Sequence, residues 1–210
     1  MTIPRILWNM GAGLLRHSVA RQRTGLLLLD RPSVWKSRIG LIDTDLAGRM
    51  SPASYLTQME SATWFAVGAS GILHEIVRKR WLFLVVAQAL RYEQPLTPLR
   101  PFHVQSRIVF WDDAWLYLQH TFVCPATGSP FAEAVVRVTI RRGKTTVPPA
   151  TMYQTVANDT TRSFDPPPIP EVVRSFLAWD ASCAKGMQAF TAPAPPENAT
   201  SVNWAWQAAQ

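Results

Sequence analysis

The chain has 210 residues, a length that fits one domain with extensions or two small domains. Hydrophobic residues make up 48% and charged residues 17%, which allows a packed core and excludes an intrinsically disordered chain. The only two cysteines, Cys124 and Cys183, exclude a disulfide framework, and we predict no metal site because no Cys/His cluster has ligand spacing. The formal net charge of +7 favours anionic partners, namely nucleic acid, lipid head groups or a phosphorylated small molecule.

Residues 1–30 are predicted to form a basic amphipathic N-terminal arm. Residues 1–29 contain four arginines and no acidic residue, and apolar side chains recur at roughly helical spacing between Ile6 and Leu15. This pattern is typical of a helix on a membrane surface or a targeting presequence, and also of a helix that packs on its own domain. These alternatives stay open, and peripheral membrane contact through residues 1–29 is one expectation.

Residues 31–149 are predicted to contain one buried helix and five strands. Ser51 suits the N-cap and Pro52 the first helical position, and residues 51–70 carry one charged side chain, Glu60. A helix that is apolar on nearly all sides is typically buried. Alternating or continuous apolar residues predict strands over residues 34–42, 81–93, 102–110, 115–124 and 131–141. Short links make the last three antiparallel neighbours.

The C-terminal part has a different composition. Nine of the chain's 17 prolines lie in the 67 residues from Lys144 onward. Because proline has no backbone N–H and fixes its own φ, residues 150–210 are predicted to form an extended, Pro-rich tail rather than a second domain. One short helix is expected there, over residues 171–179.

The segment between the first strand and the helix carries a recognisable motif. Residues 43–56 read DTDLAGRMSPASYL, which resembles the signature of 4-hydroxybenzoyl-CoA-thioesterase-like proteins, usually Asp-x-Asp-x-x-Gly-His-Met-Asn-Asn-x-x-Tyr-Leu. The sequence WDDAWLY at residues 111–117, and Gly143 followed by Val147-Pro148, are similar to the branch that contains thioesterase superfamily member six. The resemblance covers about residues 34–149. It implies an α+β hotdog fold, an antiparallel five-stranded sheet wrapped around one long central helix.

The same resemblance implies an acyl-CoA thioesterase, a hydrolase of lipid metabolism that needs no cofactor. Thioester hydrolysis requires a base or nucleophile, a dipole aimed at the developing oxyanion and a slot for the acyl group. In the family the second Asp of the motif is the nucleophile or general base. That position is Asp45, next to the helix N-terminus that polarises the carbonyl. An Asp before a helix also commonly forms an Asx turn.

Glu60 is the second candidate catalytic carboxylate. An isolated carboxylate on a buried helix is costly unless it has partners, so its presence points to a function. The alternative is a Glu that hydrogen-bonds to the backbone or pairs with an arginine such as Arg49.

Two further sets of residues are predicted to bind substrate. Residues at the start of the helix would position the substrate or the oxyanion: Gly48, Arg49, Met50, Ser51 and Ala53. Arg49 replaces the motif's His and Ser51-Pro52 replace its Asn pair, which places activity in doubt because Pro52 has no N–H. Basic residues beside two strands would contact the phosphates of CoA, or form solvated edges: Arg78, Lys79, Arg80, Arg141 and Arg142.

Two rival functions follow from the same residues. One is a non-catalytic acyl-CoA or lipid-binding hotdog protein associated with a membrane through residues 1–29. The other is nucleic-acid binding, which we do not predict because the positive charge is not concentrated on one recognition element. A single hotdog domain has an exposed sheet edge and an incomplete site, so a homodimer or a dimer of dimers is expected. The expected compartment is the cytoplasm, with mitochondrial and membrane-associated locations as alternatives.

Overall fold

The structure, a computed structural model, describes residues 2–20, 28, 31–157, 159, 161 and 163–191. The chain divides into two compact units, Met1–Phe176 and Leu177–Gln210. The first unit contains helices α1 (Thr2–Ala20), α2 (Pro52–Ser70), α3 (Ile72–Lys79) and α4 (Pro149–Ala157). Its strands are β1 (Ser33–Arg38), β2 (Leu82–Tyr92), β3 (Pro101–Trp111), β4 (Leu116–Val123), β5 (Pro130–Arg142) and β6 (Thr145–Thr146). Helix α5 (Glu171–Thr191) begins in the first unit and continues into the second.

All strands belong to one antiparallel sheet. The strand order is β1-β3-β4-β5-β2, and the short β6 pairs with β5. Strands β3, β4 and β5 are consecutive neighbours, as their short links predict. Strand β2 does not join this run beside β3: it pairs with β5 and forms one edge of the sheet. The first strand ends at Arg38 rather than near residue 42, because Leu41–Asp43 turn into a short 3-10 helix.

Helix α2 packs against the sheet and forms the centre of the core. Ser51 caps it by accepting a hydrogen bond from the Ser54 N–H, Pro52 occupies its first turn, and it ends at Gly71, whose φ of 77° is left-handed. Tyr55 packs edge-on against Phe122 with ring centroids 5.1 Å apart. The predicted helix over residues 51–70 therefore agrees with the structure within one residue.

Helix α1 packs along α2, so the N-terminal arm adopts the alternative of a helix on its own domain. The two backbones touch: a Cβ atom added to Gly13 would lie 2.3 Å from the carbonyl oxygen of Phe65. The buried Asn9 accepts a hydrogen bond from Trp35 Nε1 at 2.8 Å, which ties α1 to β1. Residues 1, 21–27 and 29–30 of the predicted arm lie outside the described residues.

The C-terminal region is more helical than its prolines suggest. Residues 149–157 form α4, and its side chains Met152 and Tyr153 belong to the core of the first unit. The last helix extends to Thr191 rather than ending near residue 179, because no proline interrupts residues 171–191. Val173 and Phe176 are buried within the first unit. The predicted extended tail thus contains two helices, and residues 192–210 lie outside the described part.

Candidate active site

The motif residues lie in a compact loop between β1 and α2. The carboxylate of Asp45 accepts hydrogen bonds from the backbone N–H groups of Ala47 and Arg49, at 2.9 and 3.0 Å. Gly48 has a φ of 68°, the left-handed conformation that favours glycine and closes this turn. Asp45 and Arg49 are both exposed. The loop therefore has the Asx-turn geometry that was the alternative to a catalytic role for Asp45.

Asp43, the other carboxylate of the motif, is buried instead. It accepts a hydrogen bond from the Gly40 N–H at 3.1 Å and faces the side-chain amide of Gln58 at 3.5 Å. Arg5 of α1 lies 3.8 Å from its second oxygen. Asp43 thus links the loop to both α1 and α2, which is a structural role.

The first turn of α2 presents one backbone donor to an incoming oxyanion. Pro52 has no N–H, and the Ser54 N–H is held by Ser51. The Ala53 N–H has no acceptor among the described residues, and Ala53 itself is exposed. A carbonyl oxygen near this turn would therefore meet the Ala53 N–H and the positive end of the helix dipole. Met50 is buried and its N–H bonds the carbonyl of Leu96, so it holds the loop in place.

A cavity of about 400 Å³ lies between α2 and the sheet. Its wall is mainly apolar and is formed by one side of α2 and by residues from β2 to β5. Among the wall residues are Leu56, Met59, Trp64, Val67, Phe83, Val85, Ile108, Leu116, Leu118, Val136 and Val138. This volume and lining suit a small acyl or aryl group.

The cavity separates the two predicted carboxylates. Glu60 lies in its wall, about two turns beyond the start of α2, whereas Asp45 lines neither this cavity nor the second one, between α1 and β1. The expectation that Glu60 is buried is wrong: its side chain is exposed at the cavity and makes no ion pair with Arg49 within the described chain. The side of α2 that carries Glu60 and Leu56 is left open by the sheet.

A polar pair that was not among the predicted site residues also lines this cavity. The ring Nδ1 of His120 hydrogen-bonds the hydroxyl of Ser106 across β3 and β4, at 2.9 Å. Burial lowers the pKa of His120 to about 4, so the imidazole is neutral at physiological pH. The signal available in the sequence was that Ser106 and His120 are both polar at inward-facing strand positions.

The two basic runs predicted to bind CoA phosphates lie at the same end of the sheet. Leu82 of β2 pairs with Arg141 of β5, so residues 78–80, just before β2, lie near Arg141 and Arg142. Some of these cations already have partners. Arg78 forms an ion pair with Glu75, and the Arg141 guanidinium donates to the carbonyl of Lys144 at 3.0 Å. Lys79 lies over the ring of Trp81, 5.6 Å from its centroid.

Solved structures with a similar fold identify the class of architecture. The probable thioesterase YbaW from Escherichia coli aligns with a TM-score of 0.56 and 14% identity, covering 62% of this chain and 99% of that one. A 1,4-dihydroxy-2-naphthoyl-CoA thioesterase from Synechocystis aligns with a TM-score of 0.52 and 14% identity, over 62% of this chain and 98% of that one. A Staphylococcus aureus protein in complex with CoA aligns with a TM-score of 0.53 and 14% identity, covering 67% of this chain and 90% of that one. The fold is therefore the hotdog fold, as predicted.

The family follows from the sequence comparison. A sequence model of the thioesterase-like superfamily matches residues 39–177, so this chain belongs to that superfamily. The protein THEM6 of Drosophila melanogaster is 28% identical over 94 residues, which cover 44% of this chain and 48% of that protein. The protein THEM6 of Danio rerio is 24% identical over 152 residues, which cover 72% of each chain. The match thus spans about half of the fly protein and more of the fish protein.

None of the helices in the described part of the chain combines the length and the hydrophobicity needed to cross a bilayer. The compartment expected from the sequence stays a prediction.

Proposed function

We propose that this protein hydrolyses the thioester of an acyl-CoA whose acyl group occupies the cavity between α2 and the sheet. One observation carries the proposal: a mainly apolar cavity of about 400 Å³ has a carboxylate, Glu60, in its wall. A thioesterase of this fold acts on 1,4-dihydroxy-2-naphthoyl-CoA, and another hotdog protein is seen with CoA bound, which supports a CoA thioester as the ligand.

The chemistry needs no group beyond water and the protein. The carboxylate removes a proton from a water molecule as the water oxygen attacks the thioester carbonyl carbon. The oxyanion that forms is stabilised by the N-terminus of α2, where the Ala53 N–H is the available donor. The C–S bond then breaks, and the CoA sulfur leaves as a thiolate that takes up the proton held by the carboxylic acid, which regenerates the base. The products are a carboxylic acid and free CoA.

Glu60 is the carboxylate that the geometry favours for this base. Glu60 lines the cavity, whereas Asp45 does not. One carboxylate oxygen of Asp45, Oδ1, is already used to accept the two backbone hydrogen bonds that hold the loop. The second oxygen of Asp45 has no hydrogen bond among the described residues, and the residue is exposed. A catalytic role for Asp45 therefore requires that the loop reaches a substrate held partly by another protomer.

The basic residues at the end of β2 and β5 would bind the phosphates of CoA. Arg80 and Arg142 are the exposed cations of this group for which no ion pair is found among the described residues. Their position follows directly from the strand register, since Leu82 and Arg141 are paired. Guanidinium groups bind phosphate oxygens through paired hydrogen bonds.

Release of free thiol from a panel of acyl-CoAs tests the proposal. We expect turnover by the wild-type chain and a loss of about 10²-fold or more in kcat for Glu60→Gln, because general-base catalysis contributes about that factor. Asp45→Asn is measured in parallel, and Asp113→Asn, an exposed carboxylate in the β3–β4 turn, is the matched control. Wild-type turnover that survives Glu60→Gln but fails with Asp45→Asn would transfer the catalytic role to Asp45.

A non-catalytic acyl-CoA or lipid binder is the second candidate. Two sequence features favour it: Arg49 replaces the His of the family motif, and Pro52 removes one N–H from the helix start. Saturable binding of acyl-CoA without thiol release, unchanged by Asp45→Asn and Glu60→Gln, would decide for this function.

A further inference from the structure

Helix α1 has an exposed apolar face on the side opposite α2. Five large apolar side chains lie there, and we call them the α1 outer face: Ile3, Leu7, Trp8, Leu14 and Leu15, with exposed fractions of 71, 60, 78, 41 and 67%. At 100° per residue they fall within an arc of about 140°. The other residues in this arc are Pro4, Gly11 and Ser18, so the arc carries no charge.

The contacts that hold α1 on the domain do not use this face. They involve Asn9, Gly13 and His17, whose ring Nδ1 lies 3.1 Å from the carbonyl oxygen of Ala69. Isolated exposed leucines are normal on protein surfaces, but a contiguous apolar helix face is typical of an interaction site. The packing of the domain therefore does not explain why the α1 outer face is apolar.

A cationic groove borders this face. It lies between α1 and β1, has a volume of about 490 Å³, and four cations line it: Arg5, Arg16, Lys36 and Arg38. No acidic residue lines the groove among the described residues. Asp43 lies 3.8 Å from Arg5, and Arg16 and Arg38 donate to the backbone carbonyls of Val34 and Leu99. Carbonyl partners orient the guanidinium groups without neutralising them.

Trp8 belongs to both features, since it is part of the α1 outer face and of the groove wall. An indole at the border between an apolar face and a cationic one suits the interface of a bilayer, where acyl chains meet phosphates.

We propose that α1 docks this protein onto a bilayer that contains anionic phospholipids. The α1 outer face inserts into the boundary between head groups and acyl chains, and the cations of the groove bind lipid phosphates. A second copy of the chain fits this face less well. It would bring arginine against arginine, because residues 1–29 contain no acid to oppose Arg5 and Arg16. The proposal does not depend on thioester hydrolysis.

Co-sedimentation of the full chain with vesicles tests the apolar part. We expect binding to phosphatidylcholine vesicles that contain phosphatidylserine, and weaker binding without phosphatidylserine or at high salt. Trp8→Ser and Leu15→Ser should each weaken binding about tenfold, because each removes a large apolar group from the interface. Val77→Ser is the matched control, since Val77 on α3 is 71% exposed and should leave binding unchanged.

The charged part needs its own variants. Arg16→Gln and Lys36→Gln should reduce the advantage of phosphatidylserine vesicles by about fivefold each, from about 1 kcal/mol per cation near an anionic surface. Lys144→Gln is the matched control, since Lys144 is exposed between β5 and β6, and it should leave the advantage of phosphatidylserine vesicles unchanged. Circular dichroism and unfolding temperature confirm that each variant is folded.

Three results would overturn the proposal. One is a wild-type chain that stays in the supernatant with phosphatidylserine vesicles. Another is equal vesicle binding by the wild type, Trp8→Ser and Leu15→Ser. The third is a wild-type oligomer that Trp8→Ser converts to a smaller species while vesicle binding is absent, which would assign the α1 outer face to a second copy.

Discussion

His120 is a buried, neutral histidine in a mainly apolar cavity wall, and its burial has a cost in folding free energy that depends on pH. Its pKa in the folded chain, about 4, lies below the usual value of about 6.5 in an unfolded chain, so the unfolded chain binds the extra proton first. The free energy of unfolding is therefore not reduced by this group above pH 6.5, and it falls as the pH drops towards 4. The loss amounts to about 3 kcal/mol at the low end.

Replacement of His120 tests this linkage. His120→Gln keeps a polar side chain beside Ser106 and removes the titration, so its unfolding free energy should change less between pH 7 and pH 4.5 than that of the wild type. Denaturant unfolding at the two pH values gives the comparison, and His74→Gln, at an exposed position of α3, is the control. Equal pH dependence of the wild type and His120→Gln would contradict the assignment.

At the scale of single residues, features that depend on neighbouring residues in the chain could be predicted from the sequence, and features that depend on distant parts of the fold could not. The Asx-turn alternative for Asp45 follows from the residue's position before a helix, and the structure has those hydrogen bonds. The exposure of Glu60 was not predictable, because it depends on which side of α2 the sheet leaves uncovered. The catalytic role of either residue stays a prediction that the thiol-release variants address.

At the scale of the helices, the close contact between α1 and α2 depends on a glycine, Gly13. A Cβ atom at Gly13 would lie 2.3 Å from Phe65 O, and one at Gly11, two residues earlier, would meet nothing within 4 Å. Alanine raises helix propensity by about 1 kcal/mol relative to glycine, so Gly11→Ala should be neutral or stabilising. Gly13→Ala should lower stability, because the backbones must separate. Thermal unfolding of this pair measures the effect, and equal unfolding temperatures would contradict the close contact.

The elements themselves were predicted best where their signals are local. The start of α2 follows from Ser51 and Pro52 and its end from Gly71, and each of these residues lies at the helix end that it determines. The position of β2 beside β5 depends instead on the connection from β1 to β2, which crosses β3, β4 and β5, and the sequence alone does not specify this crossing. In the C-terminal region α4 was missed and α5 was predicted too short, because proline density was averaged over a region in which residues 150–157 and 171–191 have no proline.

At the scale of the whole molecule, we predict that the expected homodimer forms through the edge strand β2. One of its sides is paired with β5, and the other presents unpaired backbone groups together with exposed apolar side chains such as Leu84 and Val86, at 46 and 48%. An exposed apolar edge strand favours pairing with a second strand, and a two-fold axis would pair β2 with its own copy. In such a dimer the start of α2 would lie near the partner, since Tyr55 packs against Tyr92 at the end of β2 with ring centroids 5.0 Å apart. This proximity is what a catalytic role for Asp45 requires.

A charge in this edge should prevent the pairing. Leu84 is not among the residues that line the cavity, so Leu84→Lys leaves the acyl slot intact while it places a charged side chain on the edge strand that would pair. We expect a dimer for the wild-type chain and a monomer for Leu84→Lys by light scattering, with thiol release reduced together with dimer content. Val77→Lys, exposed on α3, should stay dimeric. If the Leu84→Lys monomer retained full activity, the catalytic group would have to come from a single chain, and Glu60 rather than Asp45 would be the base.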